Sequence, residues 1–446
     1  MSRRLLIECS AQYDKFAIVD RDKKLEHIQI IPKEGTPRVG QIYRGRVKFY
    51  SSTMHSAIID IGERGEIFLP SPHRLIVGEE LLVQIIREEE KTKKAKGSTD
   101  ITIGGEYIVL IKAEQQVIVS KKNANDHNAQ ELARKLKDRL TSEFGILLRT
   151  KASLDQIDGI YDELDDLESK FALLQQQGIG LKFDPYDLID VARKLWDEYK
   201  PIEIFCNEKE ICKALKRSLA PQGIEVVHDD LYLFDKNRVK LQDILKKEYI
   251  CDDFSLSIDY LEALCVVDVN SGYMKPDAIR EKKILELNQE AFLETVRLLE
   301  LLGIGGMVLI DFISMNKIGQ KKLEDFIEKN LKNHYNRDRK IITHSMANSS
   351  MMQLVIEKSE RDLVHTLGTP CRHCQGTGLM LNEKALLDLF EVEFLPMIEQ
   401  YQQRSITVNI PRFMSAKSVE EVCDLLSEYS IDHRIVYSDI DRIKID

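Results

Sequence analysis

Two short apolar segments, each carrying an aspartate near its end, constrain the fold of this chain more than any other feature. Residues 263–269 and 306–312 are rich in β-branched side chains and are too short for buried helices, so each predicts a buried strand. Between them, residues 282–302 place apolar side chains at helical spacing, which predicts a helix. This order of strand, helix and strand predicts an α/β fold for this part of the chain.

Asp268 and Asp311 are the aspartates of the two predicted strands. A carboxylate in such a segment is costly to bury unless its charge is compensated. One hard divalent cation could compensate both, and Mg²⁺ suits a site with few protein carboxylates and a phosphate substrate. The alternative is that each aspartate only caps the turn after its strand. Asn270 weakens this alternative, because residues i and i+2 share a face of a strand and its amide can orient Asp268 or a phosphate.

The composition limits the class of protein. A length of 446 residues predicts several domains, and a net charge of -10 argues against binding nucleic acid through bulk charge, although a local basic groove is compatible with it. The eight cysteines lack the regular spacing of a disulfide framework. No apolar segment approaches the roughly 20 residues that span a bilayer, and no signal peptide is recognisable. The sequence therefore predicts a cytoplasmic protein with no membrane association.

The pattern of apolar residues changes several times along the chain. In chain order it predicts a β-meander (4–32), a small barrel of short strands with glycine turns (40 to about 112), amphipathic helices (126–200), a strand–helix–strand segment (201–246), α/β structure (250–365), a helix (383–402) and a last strand–helix–strand segment.

The predicted barrel carries aromatic and basic side chains suited to RNA. The candidates are Tyr43, Arg44, Arg46 and Phe68. This segment resembles the RNA-binding OB fold of the ribosomal S-one kind, in which aromatic rings stack on bases and cationic side chains hold phosphates. The alternative is an ordinary small barrel whose tyrosine and phenylalanine rings fill the core.

A Cys-x-x-Cys pair, Cys371 and Cys374, is followed by two glycines. Tetrahedral Zn²⁺ needs four ligands, and the other cysteines are scattered singly. Two copies of the chain that each give two thiolates would complete the shell, so the motif predicts a homodimer; His373 is a possible third ligand. The alternative is a redox dithiol, although a thioredoxin-like setting is missing.

Taken in order, these segments resemble the ribonuclease E/G family of bacterial endoribonucleases. The resemblance covers nearly the whole chain and is carried by residues 5–20, 40–47, 99–110, 145–150, 233–235, 262–272, 287–291, 305–313 and 371–378. The long disordered scaffold of the ribonuclease E branch is not expected here, which makes the chain more similar to ribonuclease G.

The resemblance implies an α/β multidomain architecture. An RNase H-like subdomain would be interrupted by an OB-fold RNA-binding barrel and a 5′-sensor region, and followed by a DNase I-like catalytic subdomain, a zinc link and a small C-terminal domain. The implied bounds are 1–37 with 200–246 (RNase H-like), 38–112 (barrel), 113–199 (5′ sensor), 247–366 (DNase I-like), 367–380 (zinc link) and 381–446 (C-terminal domain).

The resemblance also implies a chemistry: Mg²⁺-dependent hydrolysis of phosphodiester bonds in single-stranded RNA, in rRNA or tRNA processing or in mRNA decay. Asp268 and Asp311 would bind Mg²⁺, which would activate water and stabilise charge in the transition state. Asn270 would steady Asp268 or the scissile phosphate. The Zn²⁺ on Cys371 and Cys374 would be structural and shared between two chains.

Three residues match the part of the family that senses a 5′-monophosphate: Arg149, Thr150 and Arg339. They would hold the phosphate through charge-assisted hydrogen bonds. In the alternative register Lys340 takes the place of Arg339, and a point charge replaces a bidentate contact. The family usually has a glycine-containing loop before this region, whereas residues 114–122 contain no glycine. A close backbone approach to a phosphate is then less easy.

Other departures reduce the surface available to RNA. Ile58 and Ile61 stand where stacking aromatic residues are common in the family. Residues 298–302 are apolar and acidic, whereas the family normally has arginines near the end of this helix. Because the number of neutralised phosphates sets the salt dependence of binding, RNA affinity and its salt sensitivity should both be lower. The alternative function is therefore an RNA-binding protein derived from this family, with weak or no nuclease activity.

Overall fold

A computed structural model provides the fold. It describes residues 3–89, 93–112, 115–119, 126–140, 143–149, 151–174, 176, 178–219, 223–230, 232–261, 263–271, 281–334, 341–346, 350–357, 362–369, 371, 374, 378–401 and 405–445. The chain forms two compact units, Met1–Thr366 and Leu367–Asp446, and each is described by itself. None of the helices in these ranges combines the length and the apolar character needed to cross a membrane.

The strands and helices are numbered in chain order. The strands are β1 (Arg4–Cys9), β2 (Tyr13–Val19), β3 (Leu25–Pro32), β4 (Ile42–Ser51), β5 (Ser56–Asp60), β6 (Glu66–Pro70), β7 (Glu80–Arg87), β8 (Lys96–Ser98), β9 (Thr102–Gly104), β10 (Ile108–Lys112), β11 (Gln116–Val119), β12 (Phe144–Leu148), β13 (Gly180–Phe183), β14 (Glu203–Cys206), β15 (Glu225–His228), β16 (Glu248–Ile250), β17 (Ser255–Tyr260), β18 (Leu264–Asn270), β19 (Gly306–Asp311), β20 (Ile341–Thr343), β21 (Met351–Ile356), β22 (Ser405–Pro411), β23 (Asp432–Ser438) and β24 (Lys444–Ile445). The helices are α1 (His127–Arg139), α2 (Ile157–Leu173), α3 (Leu188–Tyr199), α4 (Lys209–Leu219), α5 (Leu233–Lys236), α6 (Leu241–Ile244), α7 (Glu281–Leu301), α8 (Lys317–His334), α9 (Leu363–Leu367), α10 (Glu383–Phe394), α11 (Ile398–Tyr401) and α12 (Ala416–Glu428).

The first sheet joins the N-terminal meander to strands from much later in the chain. Its order is β15-β14-β1-β2-β3, and β1 pairs antiparallel with β2 and parallel with β14. The predicted meander at 4–32 is confirmed. Helix α3 packs on this sheet through Val191 and Leu195. Residues 188–199 therefore contact the first sheet, whereas the sequence analysis placed them in the 5′-sensor region. In the same sheet the buried carboxylate of Glu8 pairs with the Lys15 ammonium at 2.5 Å.

Strands β4, β5, β6, β8 and β7 close into a barrel, because β4 pairs with both β5 and β7. Apolar side chains that alternate along these strands, among them Val47, Ile59 and Ile67, fill its interior. Gly45 lets two strands approach closely, since a Cβ there would lie 2.4 Å from Cγ2 of Ile59. The predicted barrel is confirmed.

A third sheet, of order β11-β12-β10-β9, corrects one boundary of that barrel. The sequence assigned residues up to 112 to the barrel, but β9 and β10 pair with each other and β10 pairs with β12. Ile103 and Leu110 pack in one core with Leu132 of α1 and Leu164 of α2. Burial against these helices explains why the two strands belong to this sheet.

The fourth sheet has the order β16-β17-β18-β19-β21-β20, with β18 and β19 parallel and all other neighbours antiparallel. The predicted strand, helix and strand are confirmed as β18, α7 and β19, within one residue at each end. One expectation is wrong: these strands are not buried on both faces. Val267, Val308 and Ile310 are fully buried on one face, whereas Met307 is 39% exposed on the other. The sheet therefore has an open face.

The second unit consists of α10, α11, α12 and a sheet of order β23-β22-β24. Its core includes Phe390, Phe394 and Val408. The predicted strand–helix–strand segment is confirmed. The predicted helix over 383–402 is too long, because α10 ends at Phe394, where a 3₁₀ turn containing Pro396 follows. Proline lacks the N–H that would continue the α-helical hydrogen bonds.

Candidate active site

Two carboxylates lie side by side on the open face of the fourth sheet. Asp311 is the last residue of β19, and the register of the parallel pair places it directly opposite Asp268 of β18. Neighbouring strands lie about 4.8 Å apart, so both carboxylates can reach one ligand. Ligands of α/β sheets bind outside the carboxyl ends of parallel strands, which is where this pair lies.

The electrostatics of the pair favour a cation. Asp268 is exposed and Asp311 is half-buried. Burial and the negative charge of Asp268 raise the pKa of Asp311, and a bound cation would relieve this repulsion. No cluster of three or more potential metal ligands occurs among the described residues. A cation held by two carboxylates completes its shell with water and phosphate oxygens, which is the coordination that Mg²⁺ prefers.

Two asparagines hold the carboxylates in place. Asn270 Nδ2 donates to Asp268 Oδ2 at 2.9 Å, as its position two residues further along the strand predicts. Asn288 of α7 is fully buried, and its amide donates to the carbonyl of Ile313 at 2.8 Å and accepts from the N–H of Ile313 at 3.1 Å. This clamp fixes the chain two residues after Asp311. Asn288 is not among the site residues predicted from the sequence, and the signal that could have found it is an amide within the apolar stripe of a helix.

The predicted RNA-binding residues of the barrel separate into two groups. The prediction for Tyr43 is wrong: its side chain is fully buried, and its hydroxyl donates to Gln41 Oε1 at 2.7 Å. Burial raises the pKa of Tyr43 to about 12. Arg44 and Arg46 point outward, where Arg44 Nε donates to a main-chain carbonyl at 3.1 Å and Arg46 pairs with Glu80 at 2.8 Å.

Phe68 belongs to a row of outward side chains that crosses the barrel. The register places Phe49 next to Ile58, Ile58 next to Phe68, and Phe68 next to Lys96. Phe49 is 59% exposed. Phe49 is not among the residues predicted from the sequence, because a bulge between Val47 and Phe49 turns its side chain outward against the alternation of the strand. The row is an apolar strip with a cation at one end, a surface suited to stacking bases.

Arg149 is exposed and follows β12 directly. Its main-chain N–H donates to the carbonyl of Tyr107 at 2.9 Å. The turn that contains Tyr107 is held from α2 by Glu163, whose carboxylate accepts the N–H of Tyr107 at 2.9 Å and that of the preceding residue. A Cβ on Gly105 would meet the carboxylate of Glu163, so a larger residue there would displace that side chain. Burial raises the pKa of Glu163. Glu163 therefore supports the backbone that positions Arg149.

The remaining predicted residues are only partly described. Thr150 and Arg339 lie outside the described residues, as does His373. Cys371 is exposed and Cys374 is half-buried. An exposed thiolate is what a metal ligand shared with a second chain requires, so these positions are compatible with the predicted zinc link.

Comparisons with known proteins identify the family of the chain. The model of the ribonuclease E/G family matches residues 102–358, more than half of the chain. The chain belongs to the ribonuclease E/G family, which confirms the resemblance seen in the sequence.

Individual relatives are similar at modest identity. The chain is 25% identical to ribonuclease E of Buchnera aphidicola subsp. Schizaphis graminum, over 97% of this chain and 48% of that protein. It is 23% identical to ribonuclease G of Salmonella typhimurium strain SL1344, over 85% of this chain and 84% of that protein. It is 26% identical to ribonuclease E of Synechocystis sp., over 81% of this chain and 59% of that protein. The chain thus spans about half the length of the first of these relatives.

Proposed function

We propose that this protein is a Mg²⁺-dependent endoribonuclease that hydrolyses phosphodiester bonds in single-stranded RNA, acting in the cytoplasm in rRNA or tRNA processing or in mRNA decay. The observation that carries the proposal is the pairing of Asp268 with Asp311 at the carboxyl ends of parallel strands, in a chain of the ribonuclease E/G family. The fourth sheet then corresponds to the DNase I-like subdomain of the family, the first to its RNase H-like subdomain, and the barrel to its OB fold.

The carboxylates of Asp268 and Asp311 hold the cation. When bound there, Mg²⁺ would supply a Lewis acid for the scissile phosphate and would lower the pKa of an attacking water. Asn270 fixes the orientation of Asp268 through its 2.9 Å hydrogen bond and leaves the second oxygen of that carboxylate for the metal. Asn288 acts as a positioning residue, since its two hydrogen bonds to Ile313 prevent the end of β19 from shifting.

The outer face of the barrel binds the RNA strand. Phe68 and Phe49 stack on bases, with Arg44 and Arg46 contributing positive charge nearby on the same barrel. Arg46 forms an ion pair with Glu80, so its contribution to phosphate binding should be small. This balance favours weak, stacking-dominated binding.

The 5′ end of the RNA is sensed by Arg149 together with Thr150 and Arg339. The exposed guanidinium of Arg149, on a backbone fixed by Tyr107, supports this role. Structural Zn²⁺ on Cys371 and Cys374 joins two chains into a homodimer, and the exposure of Cys371 supports a ligand available to a second copy.

The test is cleavage of one short AU-rich single-stranded RNA, carrying a 5′-monophosphate or a 5′-hydroxyl, with Mg²⁺ or EDTA. Wild type should cleave with Mg²⁺ only, and Asp311→Asn and Asp268→Asn should each lower the rate by about 100-fold or more, since each removes a ligand of the Lewis acid. Asp259→Asn is the matched control, because Asp259 lies on the same sheet and pairs with Lys247 at 2.6 Å. RNA binding without any Mg²⁺-dependent product would favour an RNA-binding protein that has lost nuclease activity.

A further inference from the structure

The open face of the fourth sheet carries the side-chain amide of Gln353, which forms no hydrogen bond within the described part of the chain. Gln353 of β21 lies opposite Leu309 of β19. This pair is two residues along the strands from the pair formed by Met351 and Asp311. Its side chain is half-buried, and it makes no hydrogen bond or ion pair within the part of the chain that the structure describes. Its amide is not among the buried polar atoms that lack a partner, so it stays accessible to water, and a ligand can take the place of that water.

Gln353 points to the same side as the carboxylate pair. Side chains at paired positions of neighbouring strands share a face, so Gln353, Leu309 and Asp311 all lie on the open face. Diagonal neighbours on adjacent strands lie about 7–8 Å apart, a gap that long side chains can bridge. The carboxamide is therefore within reach of the nucleotide that adjoins a phosphate held at Asp311.

The surface beside Gln353 is aliphatic. Val266 lies opposite Leu309, and Leu264 lies opposite Met307. All four side chains are on the open face and keep some exposure, 39% in the case of Met307. A flat base that covers these apolar side chains removes their surface from water, which lowers the free energy of the complex. This face thus offers an apolar floor and one amide for the edge of a base.

We infer that Gln353 is a specificity-determining residue that reads the base next to the scissile phosphate and favours adenine. A carboxamide presents one donor and one acceptor side by side, which match the acceptor N7 and the donor N6 amino group of adenine. The corresponding edge of guanine presents two acceptors, so it leaves the amide oxygen unpaired. The inference rests on the proposed nuclease function, since it needs a scissile phosphate at Asp268 and Asp311.

The experiment uses full-length protein, Mg²⁺ and a pool of single-stranded RNA randomised around one cleavage region, with the cut positions read by sequencing. Wild type should prefer adenine over guanine at one fixed position relative to the cut by about fivefold or more, and Gln353→Ala should reduce this preference below about twofold. Gln353→Glu removes the donor and should move the preference toward cytosine, whose amino group a carboxylate accepts. Gln12→Ala, which changes an exposed glutamine between β1 and β2, should keep the wild-type profile.

The outcomes separate the inference from the function on which it rests. Truncation of Gln353 breaks no internal hydrogen bond of the described chain, so the variant should fold, and circular dichroism checks this. A wild type that cleaves with Mg²⁺ but shows no base preference at any fixed position would overturn the inference and leave the nuclease intact. The same holds if the preference for adenine persists in Gln353→Ala. Absence of Mg²⁺-dependent cleavage in wild type would instead refute the proposed function.

Discussion

Removal of one carboxylate from the Asp268–Asp311 pair should stabilise the metal-free sheet. The folded-state pKa of Asp311 is raised by burial and by Asp268, so its ionised form destabilises the native state, and stability decreases as the pH rises through that pKa. For two charges about 5 Å apart in a water-like dielectric, Coulomb repulsion is about 0.8 kcal/mol. At neutral pH, Asp311→Asn should therefore slow the opening of β18 by a factor of about 4.

Amide hydrogen exchange of the peptide that contains β18 measures this local stability. It is recorded at low salt in EDTA, because salt screens the repulsion. Asp259→Asn removes the same charge from the same sheet but breaks the 2.6 Å pair with Lys247, so it should not slow exchange. Added Mg²⁺ should slow exchange in wild type and have no effect on Asp311→Asn. Faster exchange in metal-free Asp311→Asn than in wild type would refute the reasoning.

Other predictions concern single side chains. Lys15→Met leaves the carboxylate of Glu8, 8% exposed, without its cationic partner and should lower the free energy of unfolding of the first sheet by about 3 kcal/mol in urea denaturation. Burial lowers the pKa of His27 from 6.5 to about 4; stability should fall as the pH decreases between these values, and His27→Gln should flatten that loss. Glu163→Gln replaces an acceptor oxygen with an NH₂ group that faces main-chain N–H donors. This change should reduce the preference for 5′-monophosphate RNA over 5′-hydroxyl RNA by about threefold or more.

Trp196, the single tryptophan of the chain, provides the signal for the two stability measurements. It packs against the core of the first sheet, so its fluorescence reports unfolding of that sheet. An unchanged urea midpoint in Lys15→Met, or an acid loss as steep in His27→Gln as in wild type, would contradict the assigned roles. For Glu163, Asp162→Asn on the same helix is the control; a 5′ preference retained in Glu163→Gln, while Arg149→Ala loses it, would show that Glu163 does not position Arg149.

The proximity of Asp268 and Asp311 could be predicted from sequence because its signals are local. Each strand is one apolar segment, each aspartate stands near its end, and the helix between the two strands favours a parallel arrangement. Asp268 and Asp311 therefore had to reach the same edge of the sheet if the strands were neighbours. The open face could not be predicted, because Val266 and Leu309 are as apolar as their buried neighbours Val267 and Ile310. Which faces of a sheet the helices cover is decided by contacts distant in sequence.

The barrel shows the limit of alternation along a strand. Tyr43 is inside and Phe49 is outside, although six residues separate them and strict alternation would place both on one face. The bulge after Val47 supplies the one-residue shift that reverses the faces. Strands β9 and β10 were assigned to the wrong sheet for a related reason, since a short strand carries no local signal for the sheet with which it pairs.

The parallel pairing of β1 with β14, in which Arg4 lies opposite Glu203, has a consequence for synthesis on the ribosome. At roughly 5–20 residues per second, β14 is synthesised about 10–40 s after β1. During this time the edge of β1 that pairs with β14 has no partner strand. Such edges are sites of aggregation. The barrel and the third sheet, which are synthesised in that interval, can form first and then bring the two halves of the first sheet together. A nascent chain that stalls before Glu203 should therefore depend on chaperones, whereas one that stalls after His228 should not.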